Sequence, residues 1–236
     1  MALEYRQEIK YVVSSSQMAL LRSRIRPFLT PDAYVREDGR YNIRSIYFDD
    51  IKNTCFYDNE DGTSPREKFR IRIYNGSDDR ILLELKRKER GKIRKTSCEL
   101  TKERCEDIFK GRIFSFEKTD PPLLKKFYLQ QRTRLLEPKV IVEYEREPYT
   151  YRNGNVRITF DTDIRSSNRK DSFFDDELYA RPVMPAGYHL MEVKYDEYLP
   201  DHIYRSLQAG HLRQETFSKY YLCRKYNIGG MRSNGI

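Results

Sequence analysis

"EKFRIRIYNGSDDRILLELKRKERGKIRK", residues 67–95, decides the fold. Taken two residues at a time, Lys68, Arg70 and Arg72 share one face of a strand, and Phe69, Ile71 and Ile73 share the other. Asn75-Gly76 accepts the positive φ that a tight hairpin turn demands. Beyond it, Glu84, Lys86 and Lys88 alternate with Leu83 and Leu85. One side of this sheet is therefore cationic, with a carboxylate among the cations. Either it is the solvated back of an ordinary sheet, or it lines a cavity that holds an anion.

The same period recurs along the chain and predicts eight strands, at 3–13, 42–49, 67–75, 80–88, 93–100, 139–147, 156–164 and 188–196. Glu4, Arg6, Glu8 and Lys10 are in phase on the first. Arg157, Thr159, Asp161 and Asp163 are in phase on the seventh, and Glu192, Lys194 and Asp196 on the eighth. Ile158, Phe160, Met191 and Val193 fall on the opposite faces. Helical spacing appears between strands, in "SSSQMALLRSRIRPFL", "TKERCEDIFKG", "DPPLLKKFYLQQRTRLL", "LPDHIYRSLQAG" and "QETFSKYYLCRKY". The segment 165–187 shows neither period and reads as a long loop. The fold class is α+β. The apolar faces can pack on each other as a sandwich. Alternatively, the sheet closes into an eight-stranded antiparallel barrel, with its apolar face outward under the helices and its charged face lining the lumen. Periodicity does not choose between them. With no linker or internal repeat, residues 1–227 read as one domain and 228–236 as a loose tail.

The 236 residues carry a net charge of +9, which favours polyanionic partners. Cys55, Cys98, Cys105 and Cys223 form no C-x-x-C pair, and with His189, His202 and His211 they make no zinc pattern. Reduced thiols, no apolar leader and no stretch of about 20 apolar residues predict a cytoplasmic protein without a membrane segment. Walker A, G-x-G-x-x-G, H-E-x-x-H and G-x-S-x-G sequences are absent. A channel of Arg and Lys suits phosphate chains, because Arg meets phosphate oxygens with two parallel N–H bonds. Carboxylates among the cations suit a divalent metal bridging those oxygens. The run 86–95 reads as a solvated hairpin tip or as an electropositive mouth. No RNA-binding aromatic motif lies on a strand, which argues against nucleic acid as partner.

In order along the chain, "IKYVV" (9–13), "RSIYFDD" (44–50), "REKFRIRIY" (66–74), "LLELKRK" (82–88), "VIVEYER" (140–146), "VRITFD" (156–161), "LMEVKYD" (190–196) and "FSKYYL" (217–222) resemble the VTC domain. This is the polyphosphate polymerase module of the triphosphate tunnel metalloenzymes. The resemblance implies a tunnel of eight antiparallel strands, ATP and polyphosphate as ligands, and Mn²⁺ or Mg²⁺ as cofactor. It also implies transfer of the ATP γ-phosphate to a growing polyphosphate chain. Relatives on the same tunnel hydrolyse triphosphate or cyclise ATP, so a triphosphatase and a non-catalytic polyanion-binding module stand as alternatives. Carried over by position, the resemblance puts catalysis on Arg70, Arg72, Lys86 and Lys194. It puts phosphate binding on Lys10, Tyr144, Arg146, Arg157, Ser218 and Lys219, and the metal on Glu192 with Glu8 and Glu84 as auxiliaries. Many tunnel enzymes begin with E-x-E-x-K; "RQEIK" has Arg6 in the first Glu position, a departure that favours the VTC branch.

Overall fold

Asn75 and Gly76 take φ of 53° and 70°, the doubly positive geometry of a two-residue hairpin. That turn joins β4 (Arg66–Tyr74) to β5 (Ser77–Glu89). A second turn with positive φ at Arg90 and Gly91 leads to β6 (Lys92–Leu100). The remaining strands are β1 (Gln7–Ser14), β2 (Thr30–Pro31), β3 (Tyr41–Asp49), β7 (Glu137–Tyr151), β8 (Val156–Ser167), β9 (Arg181–Pro182) and β10 (Tyr188–Tyr195). The helices are α1 (Ser15–Ile25), α2 (Thr54–Glu60), α3 (Lys102–Phe109), α4 (Pro122–Arg134), α5 (Asp201–Ser206) and α6 (Lys219–Arg232). This computed structural model describes residues 6–112, 117–209 and 212–232, so Glu4 lies outside the described residues. None of the described helices is long and apolar enough to cross a membrane.

All strands pair antiparallel in one sheet of order β1-β10-β8-β7-β3-β4-β5-β6, with β2 on β7 and β9 on β8. The sheet curls strongly, but it does not become the closed barrel expected from sequence. It is an open half-barrel. Among the described residues its edge strands meet at one isolated bridge, where Arg6 N–H donates to the Ile93 carbonyl at 3.2 Å and Ile93 N–H donates back at 3.4 Å. Closure needs a full ladder between β1 and β6, and no single strand's alternation encodes that pairing.

The apolar face points outward, as the barrel arrangement requires. Ile71, Ile73, Leu83 and Leu85 pack beneath α3 and α4 against Ile108, Leu124 and Phe127. Ile158, Phe160, Met191 and Val193 pack beneath Met18, Leu21 and Ile25 of α1. Fully burying each such side chain is worth about 1.5–3 kcal/mol, enough to fix which face turns inward. Ser14 starts α1 with a capping box: its hydroxyl accepts from Gln17 N–H, and the Gln17 side chain accepts from Ser14 N–H.

Three local expectations are corrected. The 165–187 segment is partly ordered: β8 runs on to Ser167, a 3₁₀ turn spans Lys170–Phe174, and β9 follows. The buried Arg44 pins that turn, bonding Glu143 at 2.8 Å and the Phe173 and Asp175 carbonyls at 3.0 and 2.6 Å. α6 continues to Arg232, so the backbone over 228–232 is helical, while 233–236 lie outside the described residues. Finally, Asp163 leaves the inward face. Its φ of 49° sits at a β-bulge where β8 spends two residues against Tyr144, and the side chain is exposed.

Candidate functional site

The concave face and the segment leading into α6 enclose a cavity of about 520 Å³. Thirteen lysines and arginines line it against three glutamates, so the excess positive charge of the chain is concentrated there. Twelve of the thirteen residues that the resemblance assigns reach this cavity. They are Lys10 and Glu8 from β1, Arg70 and Arg72 from β4, Lys86 from β5, Tyr144 and Arg146 from β7, Arg157 from β8, Glu192 and Lys194 from β10, and Ser218 and Lys219 at the start of α6. Strand alternation explains most of this convergence: register pairs Lys10 with Glu192, Arg70 with Glu84, Arg146 with Asp161, and Lys194 with Arg157.

Carboxylates hold the cations in place. Glu84 is the residue that does not line the cavity. It is wholly buried, with Oε2 accepting from Arg70 at 2.7 Å and Oε1 from Lys95 at 2.9 Å. Burial would raise its carboxyl pKa, but Arg70, Arg72 and Lys95 prevail and hold it far below the carboxylate range. Arg70 also donates to Tyr47 Oη at 2.9 Å, and Arg72 donates to Ser45 Oγ at 3.0 Å and Tyr144 Oη at 3.2 Å. Asp161 clamps Arg146 with two bonds of 2.6 and 2.7 Å and meets Lys219 at 2.5 Å. Arg146 and Lys219 also flank the Tyr144 ring, 5.3 and 4.6 Å from its centroid. The guanidinium groups of Arg70, Arg72 and Arg146 and the Lys219 ammonium are thus fixed before any ligand arrives.

Glu192 and Glu8 form a second node, facing the cavity. Glu192 contacts Lys219 at 3.1 Å, Lys194 at 3.0 Å, Lys10 at 3.4 Å and Arg146 at 3.5 Å. Glu8 meets Lys86 at 2.9 Å, Lys10 at 3.2 Å and Lys194 at 3.6 Å. Burial opposes ionisation of both, yet the surrounding lysines keep each carboxyl well below its usual range. Among the described residues no group of three acidic, His or Cys side chains gathers for a metal. Two ionised carboxylates that share Lys10 and Lys194 and face a phosphate-sized cavity still fit Mg²⁺ or Mn²⁺, which take one or two carboxylates and draw the rest from phosphate and water. Thr159, the register partner of Glu192, adds a buried hydroxyl without a hydrogen-bond partner.

Several lining residues were not assigned from sequence. Lys68 and Lys88 are in phase with Arg70 and Lys86, so the signal was present. Lys95 follows from its register with Lys86. Lys68 donates to Asn59 Oδ1 at 2.8 Å and Ser218 Oγ at 3.3 Å and lies 5.2 Å from the centroid of the Tyr220 ring. Burial and the nearby Arg66 draw its pKa down to about 7. Ser218 also accepts from Tyr221 N–H at 3.3 Å, capping α6, and Lys10 donates to the Phe217 carbonyl at 2.9 Å. Asp161 carried no sequence assignment either, although it shares the phase of Arg157. Asp196 is drawn to the rim by Arg6 at 2.8 Å.

Comparisons with known proteins agree with this architecture. An enzyme from Hippeastrum, described as an adenylyl cyclase with a dominant triphosphatase activity, shares 12% identity at a TM-score of 0.55, with 94% of this chain and 96% of that chain covered. A protein described as an adenylate cyclase from Bacillus halodurans matches at 14% identity and a TM-score of 0.49, covering 88% of each chain. PH1819 from Pyrococcus horikoshii matches at 16% identity and a TM-score of 0.49, covering 94% of this chain and 99% of that chain. At such identities the Hippeastrum match shows a shared fold. No curated protein matches the sequence. The VTC domain profile matches residues 5–227, nearly the whole chain, and the chain belongs to the VTC domain family.

Proposed function

We propose that the chain is a phosphotransferase that moves the γ-phosphate of ATP onto a polyphosphate chain inside this cavity. The observation that carries the reading is the lining itself, thirteen cations against three glutamates on a rigid frame. Transfer of a phosphoryl group needs positioning and charge stabilisation more than covalent work by the protein. Arg70 and Arg72, held by Glu84, Ser45 and Tyr144, clamp the triphosphate. Lys86 and Lys194 neutralise charge at the transferred group. Lys10, Tyr144, Arg146, Arg157, Ser218 and Lys219 extend the track for the acceptor. A terminal phosphate oxygen is already anionic, so no strong base is required. A divalent ion, Mn²⁺ or Mg²⁺, would be held by Glu192 with Glu8 and would supply charge shielding for the phosphates. Glu84 serves as a positioning carboxylate, since cations occupy both its oxygens.

Water is an equally accessible acceptor, and the activity described for the Hippeastrum protein favours triphosphate hydrolysis as the second reading. One assay separates them: incubation with ATP and Mn²⁺, with products resolved by size. Polymer ladders support the polymerase. Free phosphate without polymer supports the hydrolase. Unconsumed ATP rejects both and leaves a binding module. Arg70→Ala and Glu192→Gln are each expected to cut turnover by about 100-fold or more in folded protein. Unchanged turnover in both overturns the site assignment.

A further inference from the structure

The cavity wall is not cationic throughout. Where β3 begins and β4 ends, Tyr41, Ile43 and Tyr74 line it together. The two tyrosine rings meet edge to face, with centroids 5.9 Å apart and planes at 70°. Tyr41 is buried and its hydroxyl is fixed by Arg157 at 2.8 Å, whereas Tyr74 is only half-buried. This patch adjoins cations of the cavity wall. Tyr41 pairs in register with Arg146, and Tyr74 shares the inward face of β4 with Arg72. A phosphate chain finds only the two tyrosine hydroxyls as donors on this wall, and the ring faces offer it nothing. A planar group with a π face gains both contact area and stacking. Arg157 is itself held by Asp32 at 2.7 Å, so the Tyr41 brace is anchored.

We infer that Tyr74, braced by Tyr41 and Ile43, is the stacking platform for the nucleobase of a nucleoside triphosphate whose phosphates lie on Arg70 and Arg72. The inference rests on the proposed use of a nucleotide donor and extends it to the base. Stacking reads the π face and not the hydrogen-bonding edge, so the platform tolerates any purine.

Calorimetric binding tests this without turnover, using a non-hydrolysable ATP analogue, the matching GTP analogue and inorganic tripolyphosphate. In Tyr74→Ala the Kd of both nucleotide analogues is expected to rise about tenfold, while that of tripolyphosphate stays within about twofold. Tyr74→Phe, which keeps the ring, is expected to retain nucleotide affinity and guards against a folding defect in the alanine variant. Equal weakening of all three ligands, or of none, overturns the platform. So does a wild-type protein that binds tripolyphosphate and not the nucleotide analogues. Protein that shows the selective loss yet makes neither polymer nor phosphate from ATP would refute the proposed function and leave the platform standing.

Discussion

Lys68 illustrates what a dense cationic lining costs one residue. Its ammonium has an amide oxygen, a hydroxyl and an aromatic face around it, with Arg66 and Lys86 also nearby. Burial and the Arg66 charge lower its pKa to about 7, from about 10.4 in an unfolded chain. Between these values the unfolded chain holds a proton that the folded chain lacks, so this group makes stability rise with pH from about 7 to about 10. Below pH 7 the folded protein carries the charge and its full desolvation penalty. Lys68→Met is therefore expected to raise the melting temperature at pH 6.5 and to flatten its rise towards pH 9. The same variant should bind tripolyphosphate more weakly at pH 6.5, because a polyanion restores the proton that burial disfavours. Thermal melts at the two pH values check the first claim, and an unaltered pH slope would contradict it. The sequence shows that Lys68 is inward but not that it lacks a carboxylate among the described residues, since the partners of its neighbours, Glu84 for Arg70 and Glu8 for Lys86, come from other strands.

Among the elements, legibility follows the range of the interaction. All eight long strands are readable because alternation and Asn-Gly or Gly turns are local signals. α1 is readable through Ser14 and its box. α2, with seven residues, is too short to show a helical period, and the sequence reading missed it. The bulge that expels Asp163 is silent because the alternation in "RITFDTDIR" continues across it. The β7–β8 turn makes this point testable. Gly154 and Gly76 have nearly equal φ, 71° and 70°. A Cβ at Gly76 meets nothing within 4 Å, whereas one at Gly154 falls 2.6 Å from the Tyr198 carbonyl oxygen. That carbonyl belongs to the segment leading into α5, so the turn is docked and its neighbour is backbone. Gly76→Ala should cost about 1 kcal/mol from backbone strain alone, and Gly154→Ala at least about twice that. Denaturant midpoints measure both. Equal losses would mean that the 198–200 segment yields without cost.

At the scale of the molecule, periodicity leaves the sandwich and the barrel open, and the inward turn of the charged faces is legible only through the family resemblance. Closure is not legible in the sequence, because it depends on two strands far apart in the chain, β1 and β6, meeting with matched register. The seam between β1 and β6 is consequently the weakest line in the sheet. Among the described residues its backbone link is the Arg6–Ile93 bridge, and Lys86 of β5 reaches across it to both oxygens of Glu8, at 2.9 and 3.1 Å. The other contacts of Glu8, with Lys10 and Lys194, stay on its own side of the seam. Removing the Glu8 charge therefore weakens the cross-seam tie, while Ile71 and Leu83, deep in the β4–β5 ladder, keep every partner. Glu8→Gln is expected to speed amide exchange at Arg6 and Ile93 by about tenfold, with Ile71 and Leu83 unchanged, as local opening of one edge predicts. Hydrogen–deuterium exchange reads both regions in one experiment. Acceleration spread evenly over β4, β5 and β1 would show that the sheet opens as a whole and that the seam has no independent stability.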